Sequence, residues 1–148
     1  MKFGNKFRLK LQATGALVLG CAAAIMPTAS LAAIVTLTDG AGLARIDTAS
    51  PAGMYEWSIN GINQLNKQWF WFRNGASGPQ YSIESGAIST TESYVPGGDH
   101  LNVLYNHGAF GIEIDYTLSE TGAGQSRIDE SIRLHNYSGG TLNFYFFQ

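Results

Sequence analysis

The chain has 148 residues, of which 45% are hydrophobic and 14% are charged, and its formal net charge is −2 at pH 7. Four basic residues lie within the first ten positions, so residues 33–148 alone carry a net charge of about −6 and contain no cysteine. A domain of this charge lacks the clustered positive residues that bind nucleic acid or an anionic membrane surface. Because residues 33–148 contain no cysteine, they can form neither disulfides nor thiolate metal sites.

The first 32 residues have the organisation of an export signal. A basic start precedes the apolar run Ala13–Met26, and Ser30–Ala32 fits the small-x-small rule of a signal peptidase. Pro27 breaks the helix just before that site, where an extended substrate is needed. We expect cleavage after Ala32 or Ala33 and a secreted or cell-surface location. We expect no membrane span in the mature chain, because the apolar run falls short of about 20 residues. The basic residues are Lys2, Lys6, Arg8 and Lys10.

Cys21 leaves a second processing route open. Val18–Cys21 is a loose version of a bacterial lipoprotein box, in which the cysteine would be acylated and become the mature N-terminus. Against this route, the apolar segment continues beyond Cys21 and a better cleavage site follows it.

The mature chain begins with a predicted β-hairpin. Its strands are Ile34–Thr38 and Leu43–Asp47, and the glycines of Asp39–Gly42 allow a tight reversal. The next predicted strand is Met54–Ile59, in which simple alternation places Met54 and Trp57 on opposite faces.

Four consecutive aromatic residues, Trp69–Phe72, lie within the stretch Gln68–Arg73. Successive side chains of a strand point to opposite faces, so both faces of this strand are expected to be covered. Burying four such rings removes roughly 600–1,000 Å² from water, which is a gross gain of about 15–25 kcal/mol as an upper bound. The pattern predicts a central strand of a packed β domain.

The strongest two-residue period occurs in the second half of the chain. Two shorter strands, Tyr81–Glu84 and Ala87–Tyr94, precede a predicted hairpin of Leu101–Asn106 and Phe110–Glu120. The long strand places its apolar residues on one face and polar ones on the other. The apolar set is Phe110, Ile112, Ile114, Tyr116 and Leu118.

The strand Arg127–Asn136 contains an anomaly. Ile128, Ile132 and Leu134 are predicted to face inward, and Glu130 falls on the same face. A carboxylate there must lie near an edge, be paired or mark a site.

Antiparallel strands joined by short glycine-rich turns predict an all-β fold, a sandwich or a jelly-roll-like domain spanning residues 33–148. The last strand, Thr141–Gln148, stops with apolar groups on both faces. Natural sheet edges are usually blunted, so we expect this domain to be truncated at its C-terminus.

Several segments together resemble a group of secreted bacterial proteins that carry a C-terminal PEP-CTERM sorting signal. The resemblance implies export and a surface destination in bacteria that make exopolysaccharide, and no biochemical activity. Such a tail has a Pro-Glu-Pro motif, an apolar helix and a basic end, none of which is present, in agreement with the expected truncation. The segments are Ala52–Trp57, Gly61–Leu65, Gln68–Arg73, Gly78–Pro79, Glu130–Arg133 and Leu142–Gln148.

The three tryptophans are the candidate ligand-binding residues. Trp57, Trp69 and Trp71 could stack on sugar rings if they are exposed, as aromatic residues of many β-sandwich modules do. The competing interpretation is that Trp69 and Trp71 belong to the core. Exposure of these rings in a groove would favour a carbohydrate-binding module, and full burial would favour a structural role.

Metal binding and catalysis are weaker hypotheses. His100, His107 and His135 match no established zinc-ligand spacing, so we expect no metal and no other cofactor. Glu113 and Asp115 share one face of a strand, and they could serve a glycosidase with Glu130 or Asp129 if their separation suited an acid and a base. A paired, charged outer face is the simpler interpretation.

The sequence therefore favours a non-enzymatic, exported β-domain that is a structural or adhesive component of the bacterial cell surface or extracellular matrix. A carbohydrate-binding module with exposed aromatics is the alternative, and a glycoside hydrolase is the third candidate. The expected partners are exopolysaccharide or other surface proteins.

Overall fold

Eleven β-strands form three antiparallel sheets in the computed structural model, which describes residues 34–148. The predicted export signal, with Cys21, lies outside the described residues. No helix in residues 34–148 is long and apolar enough to cross a membrane. The strands are β1 (Ile34–Asp39), β2 (Gly42–Asp47), β3 (Gly53–Ile59), β4 (Ile62–Asn63), β5 (Trp71–Asn74), β6 (Tyr81–Ser82), β7 (Ser89–Tyr94), β8 (His100–Asn106), β9 (Phe110–Gly122), β10 (Gln125–Asn136) and β11 (Phe144–Phe147).

Two of the sheets are meanders of consecutive strands. The N-terminal sheet has the order β1-β2-β3-β4, and the long sheet has the order β10-β9-β8-β7. The small sheet, in the order β11-β5-β6, is the one sheet of the described chain in which strands distant in sequence pair. The predicted all-β antiparallel fold is confirmed, and the three sheets are consistent with a sandwich.

The long sheet forms one layer of the sandwich, and the other two sheets cover it. β1 and β2 contact β9, which joins the N-terminal sheet to the long sheet. The small sheet packs through Phe72, whose ring lies edge-on to Phe110 at a centroid distance of 5.3 Å. All five predicted inward residues of β9 are buried, as its period predicted. The core therefore lies between β8 and β9 on one side and both covering sheets on the other.

A β-bulge in β3 changes the faces that simple alternation predicted. Ile46 pairs with Met54 and Ala44 pairs with Trp57, so one extra residue lies between the two partners on β3. Cross-strand partners lie on the same face. Met54 and Trp57 therefore both face the core, and the expectation that they lie on opposite faces is wrong.

The aromatic stretch is not one regular strand, because it passes from one covering sheet to the other. Gln68 exchanges two backbone hydrogen bonds of 2.9 Å with Met54 of the N-terminal sheet, whereas β5 begins only at Trp71. Trp69 and Phe70 lie between these points and are buried. β5 is the central strand of the small sheet, as predicted, but its outer face is only partly covered.

Gly53 allows this crossing to pack tightly. Its φ is +60°, and a Cβ at this position would lie 2.4 Å from Cε3 of Trp69. The left-handed backbone and the missing side chain are thus both required where the Trp69 ring meets the start of β3.

β10 is an edge strand, so two of its inward-facing apolar side chains are only partly buried. Ile132 pairs with the buried Ile114 and Leu134 with the buried Ile112, so both point to the core side of the sheet. They nevertheless remain 39% and 48% exposed. Among residues 34–148 no strand pairs with β10 on its outer edge, where the sheet ends.

Candidate functional site

The three candidate tryptophans lie in three different environments and do not form one site. Trp69 is only 4% exposed, and its indole N–H donates to Oε2 of Glu84 at 2.8 Å. Its ring lies edge-on to Tyr105 at 6.3 Å, inside the core. Trp69 therefore has no free face for a ligand.

Trp57 joins the N-terminal sheet to β10. It is partly buried against the core, and its indole N–H donates to Oγ of Ser126 at 2.9 Å. Its polar atom is therefore already engaged in holding the two layers together at the start of β10.

Trp71 lies on the outer face of the small sheet among other aromatic residues. Trp71 pairs with Phe147, and Arg73 pairs with Tyr145, while the intervening Phe72 faces the core. Alternation along both strands therefore places these four partly exposed side chains on one outer surface. We call this surface the aromatic platform, and it consists of Trp71, Arg73, Tyr145 and Phe147.

The Arg73 guanidinium lies over two rings of the platform. The guanidinium carbon lies 4.5 Å from the centroid of the Tyr145 ring and 5.7 Å from that of Phe147. Tyr145 is 43% exposed, so the platform opens to solvent at this point. Cation–π contact of this kind orients the guanidinium while part of its donor capacity remains for another acceptor.

Arg73 differs from the other arginines of residues 34–148 in having no carboxylate partner. Arg45 pairs with Glu56 at 2.6 Å, Arg127 with Asp129 at 2.8 Å and Arg133 with Glu113 at 2.8 Å. The platform thus combines aromatic faces with the one arginine of the described chain that no acidic residue neutralises.

The outer face of the long sheet carries a paired polar network, as the simpler interpretation expected. Glu113 accepts hydrogen bonds from Asn102 and Arg133 and contacts His135 at 2.7 Å. These contacts, with that from Asn102 the largest, lower the pKa of Glu113 to about 2. Asp115 contacts His100 at 2.8 Å. Both carboxylates are engaged in cross-strand pairs.

Glu130 lies on the opposite face of the sheet from those carboxylates. It pairs with Tyr116, which faces the core, whereas its neighbours in β10 pair with the outward residues Asp115 and Thr117. An acid and a base on opposite faces of one sheet cannot flank the same glycosidic bond. Glu130 therefore cannot act with Glu113 or Asp115 as the acid and the base of a glycosidase.

Glu130 belongs instead to a small buried polar cluster with Gln68 and Tyr116. The Gln68 amide donates to Oε2 of Glu130 at 2.9 Å. Oε1 of Glu130, Oε1 of Gln68 and the hydroxyl of Tyr116 are buried without a hydrogen-bond partner. Burial raises the pKa of Glu130, and the amide of Gln68 only partly opposes this effect. Burial and the charge of Glu130 also raise the pKa of Tyr116.

The third histidine is part of the packing between two layers. The His107 ring stacks on Phe110 at 4.7 Å, and its Nε2 donates to the carbonyl of Ile83 at 2.9 Å. Burial lowers the pKa of His107. Within residues 34–148 no three histidine, cysteine, aspartate or glutamate side chains converge to hold a metal ion.

A groove of about 190 Å³ lies between β10 and the residues before β11. Its lining is mainly apolar and contains none of the candidate tryptophans. The lining includes Phe110, Leu134, His135, Leu142 and Phe144.

Sequence analysis identified Trp71 but missed Arg73, Tyr145 and Phe147 as its companions. Two-residue spacing within Trp71–Arg73 and within Tyr145–Phe147 was a usable signal. It specifies a common surface only when β5 and β11 are known to pair, and that pairing is not local. Comparison with protein-family models, with curated proteins and with solved structures gives no match for this chain.

Proposed function

We propose that this protein is an exported, non-catalytic β-sandwich that serves as an adhesive component of the bacterial cell surface or extracellular matrix. The observation that carries this proposal is the aromatic platform, an outward surface that combines three rings with an unneutralised arginine. The resemblance to proteins with a PEP-CTERM sorting signal supports the same destination by association.

The chemistry of the platform favours polysaccharide as the adhesive ligand, which makes carbohydrate binding the second candidate function. Aromatic faces such as those of Trp71 and Tyr145 match the apolar C–H faces of pyranose rings. The Arg73 guanidinium presents donors in a fixed plane, which suits sugar hydroxyls and carboxylates. Because the surface is open, it fits a chain that runs across it and not a small molecule that must be enclosed.

Binding of the mature secreted chain to a panel of soluble matrix polysaccharides tests this proposal. Tryptophan fluorescence is followed during titration, and affinity electrophoresis in polysaccharide gels provides a second measure. Saturable binding is expected, and Trp71→Ala should weaken it by about 3-fold to 10-fold, the value of one lost ring contact. Tyr145→Ala should act similarly.

The matched control is Tyr94→Ala, which removes an aromatic side chain that is 39% exposed on β7, outside the platform. It should leave the affinity unchanged. Binding that Trp71→Ala and Tyr145→Ala leave intact would contradict the role of the platform. Failure of every polysaccharide to bind would leave surface proteins as the adhesive partners.

A further inference from the structure

The open edge of β10 carries two apolar side chains that the rest of the described chain covers only in part. β10 has 12 residues and lies at the end of its sheet, with Ile132 and Leu134 exposed beside it. Free edges of this length are usually blunted by proline or bulges. β10 has no proline, and its only register irregularity is at its start, between Gln125 and Ser126.

Alternate backbone N–H and C=O groups of β10 point to its open edge, where another strand could bond to them. Tyr137 donates its N–H to the carbonyl of Ala109 at 2.9 Å. These two residues continue the register in which Asn136 pairs with Phe110, so they occupy a hydrogen-bonded position. Antiparallel pairs alternate between bonded and non-bonded positions. The odd-numbered residues of β10 therefore bond to β9, and the even-numbered residues from Ser126 to Asn136 direct their N–H and C=O groups to the open edge.

The side chains of β10 are complementary to a second copy of the same strand. In an antiparallel pair centred on Ser131, Arg133 lies opposite Asp129 of the second copy, and this contact occurs twice by symmetry. On the core side, Leu134 lies opposite Ile128 of the second copy, also twice, and Ile132 lies opposite Glu130. Opposite charges and apolar pairs in these positions stabilise a sheet.

The neighbouring registers lack the contact between Arg133 and Asp129 of the second copy, although centring the pair on Glu130 also places Ile132 opposite Ile128. Centring the pair on Glu130 places Glu130 opposite itself and Arg127 opposite Arg133, and like charges in direct opposition are unfavourable. Centring it on Ile132 leaves Arg133 opposite Ser131 and separates Leu134 from Ile128. The charges of β10 thus select one register.

We propose that the open edge of β10 is a homodimer interface, in which two copies pair antiparallel about Ser131. The two long sheets then form one continuous eight-stranded sheet. The ladder is about 35 Å long and one sheet with its side chains is about 10 Å thick, so the footprint is roughly 350 Å² per copy. This is below the about 800 Å² of a standard interface, and the dimer is accordingly a weak one.

Sedimentation equilibrium of the mature secreted chain tests the interface at concentrations up to about 1 mM, which suit a weak dimer. Wild-type protein is expected to dimerise reversibly. Arg133→Asp places aspartates opposite one another, and Asp129→Arg places arginines opposite one another. Each variant should weaken self-association by at least about tenfold.

Mixing the two variants gives the decisive measurement. An Arg133→Asp copy and an Asp129→Arg copy restore both opposite-charge contacts, so the mixture should form heterodimers although neither variant dimerises alone. Circular dichroism and thermal unfolding check that each variant is folded. The recovered association also shows that lost contacts within one copy, such as Arg133 with Glu113, are not the cause.

Asp99→Arg is the control for the charge change, because Asp99 is exposed in the turn before β8 and lies on the side of β9 that faces away from β10. It should dimerise as the wild type does. A wild-type chain that stays monomeric to about 1 mM would overturn the proposal. A dimer that Arg133→Asp leaves unchanged, or a mixture that fails to associate, would overturn it as well.

Discussion

Glu130 shows at the scale of one residue how an unfavourable position can persist in a β-sheet. Its carboxyl lies on the core side of β10, and it has one hydrogen bond, from Gln68. Two nearby buried oxygen atoms, on Gln68 and Tyr116, have no partner. Burial raises the pKa of Glu130, so the ionised form is disfavoured at this position.

Replacing Glu130 by glutamine should stabilise the folded protein at neutral pH by about 1 kcal/mol. The neutral amide removes the buried charge, and its NH₂ group can donate to the free oxygen of Gln68. Urea unfolding at pH 7 measures the change in free energy of unfolding. The exposed Glu120→Gln is the control and should have little effect.

The same variant should alter the pH dependence of stability. A folded-state pKa raised above the ordinary 4.5 means that the folded protein holds the proton more tightly than the unfolded chain. The contribution of Glu130 to stability is therefore greatest below about pH 4.5 and is lost as the pH rises through its folded pKa. Glu130→Gln should lack this loss, so its advantage should vanish in acid. An equal advantage at pH 4 and pH 7 would contradict this explanation.

At the scale of elements, the junction between the two covering sheets depends on Gly53. Gly53→Ala should destabilise the protein by about 2–4 kcal/mol, because the new Cβ would overlap the buried Trp69 ring and the backbone has a positive φ. Gly61→Ala is a matched control, since Gly61 has a φ of +77° and a Cβ added there would meet no atom within 4 Å. It should cost only about 1 kcal/mol. Similar losses for both variants, measured by thermal unfolding, would show that the ring contact is not important.

The elements also show which parts of the fold a sequence can specify. The regular alternation from Phe110 to Leu118 predicted β9 because both of its neighbours pair with it in register and no bulge interrupts these positions. The faces of β3 could not be predicted, because its bulge depends on how β2 and Gln68 pair with it. The exposure of Leu134 was missed for a similar reason. A period identifies the face of a side chain but not whether another strand covers that face.

The same limit explains the outcome for the candidate site. The sequence identified Trp69 as either a ligand-binding or a core residue, and the hydrogen bond to Glu84 favours the core. It could not find Arg73 and Tyr145 as neighbours, since residues from two distant segments meet only when β11 joins β5.

At the scale of the whole molecule, the sandwich should be uneven in local stability. β9 lies between β8 and β10, and its inward side chains are buried, whereas β11 is a four-residue edge strand. Amide hydrogen exchange should therefore be slowest in β8 and β9 and fastest in β11. Equal protection of β9 and β11 would mean that the sandwich opens only as a single unit.

The pairing of β11 with β5 has a consequence for the order in which the domain assembles. Both meanders form from strands that follow one another, whereas this pairing joins Phe144 to Asn74, 70 residues away. Closing such a long loop is slow compared with forming hairpins. A chain in which both meanders have formed can thus still lack half of the aromatic platform. That surface is complete only once β11 has docked on β5.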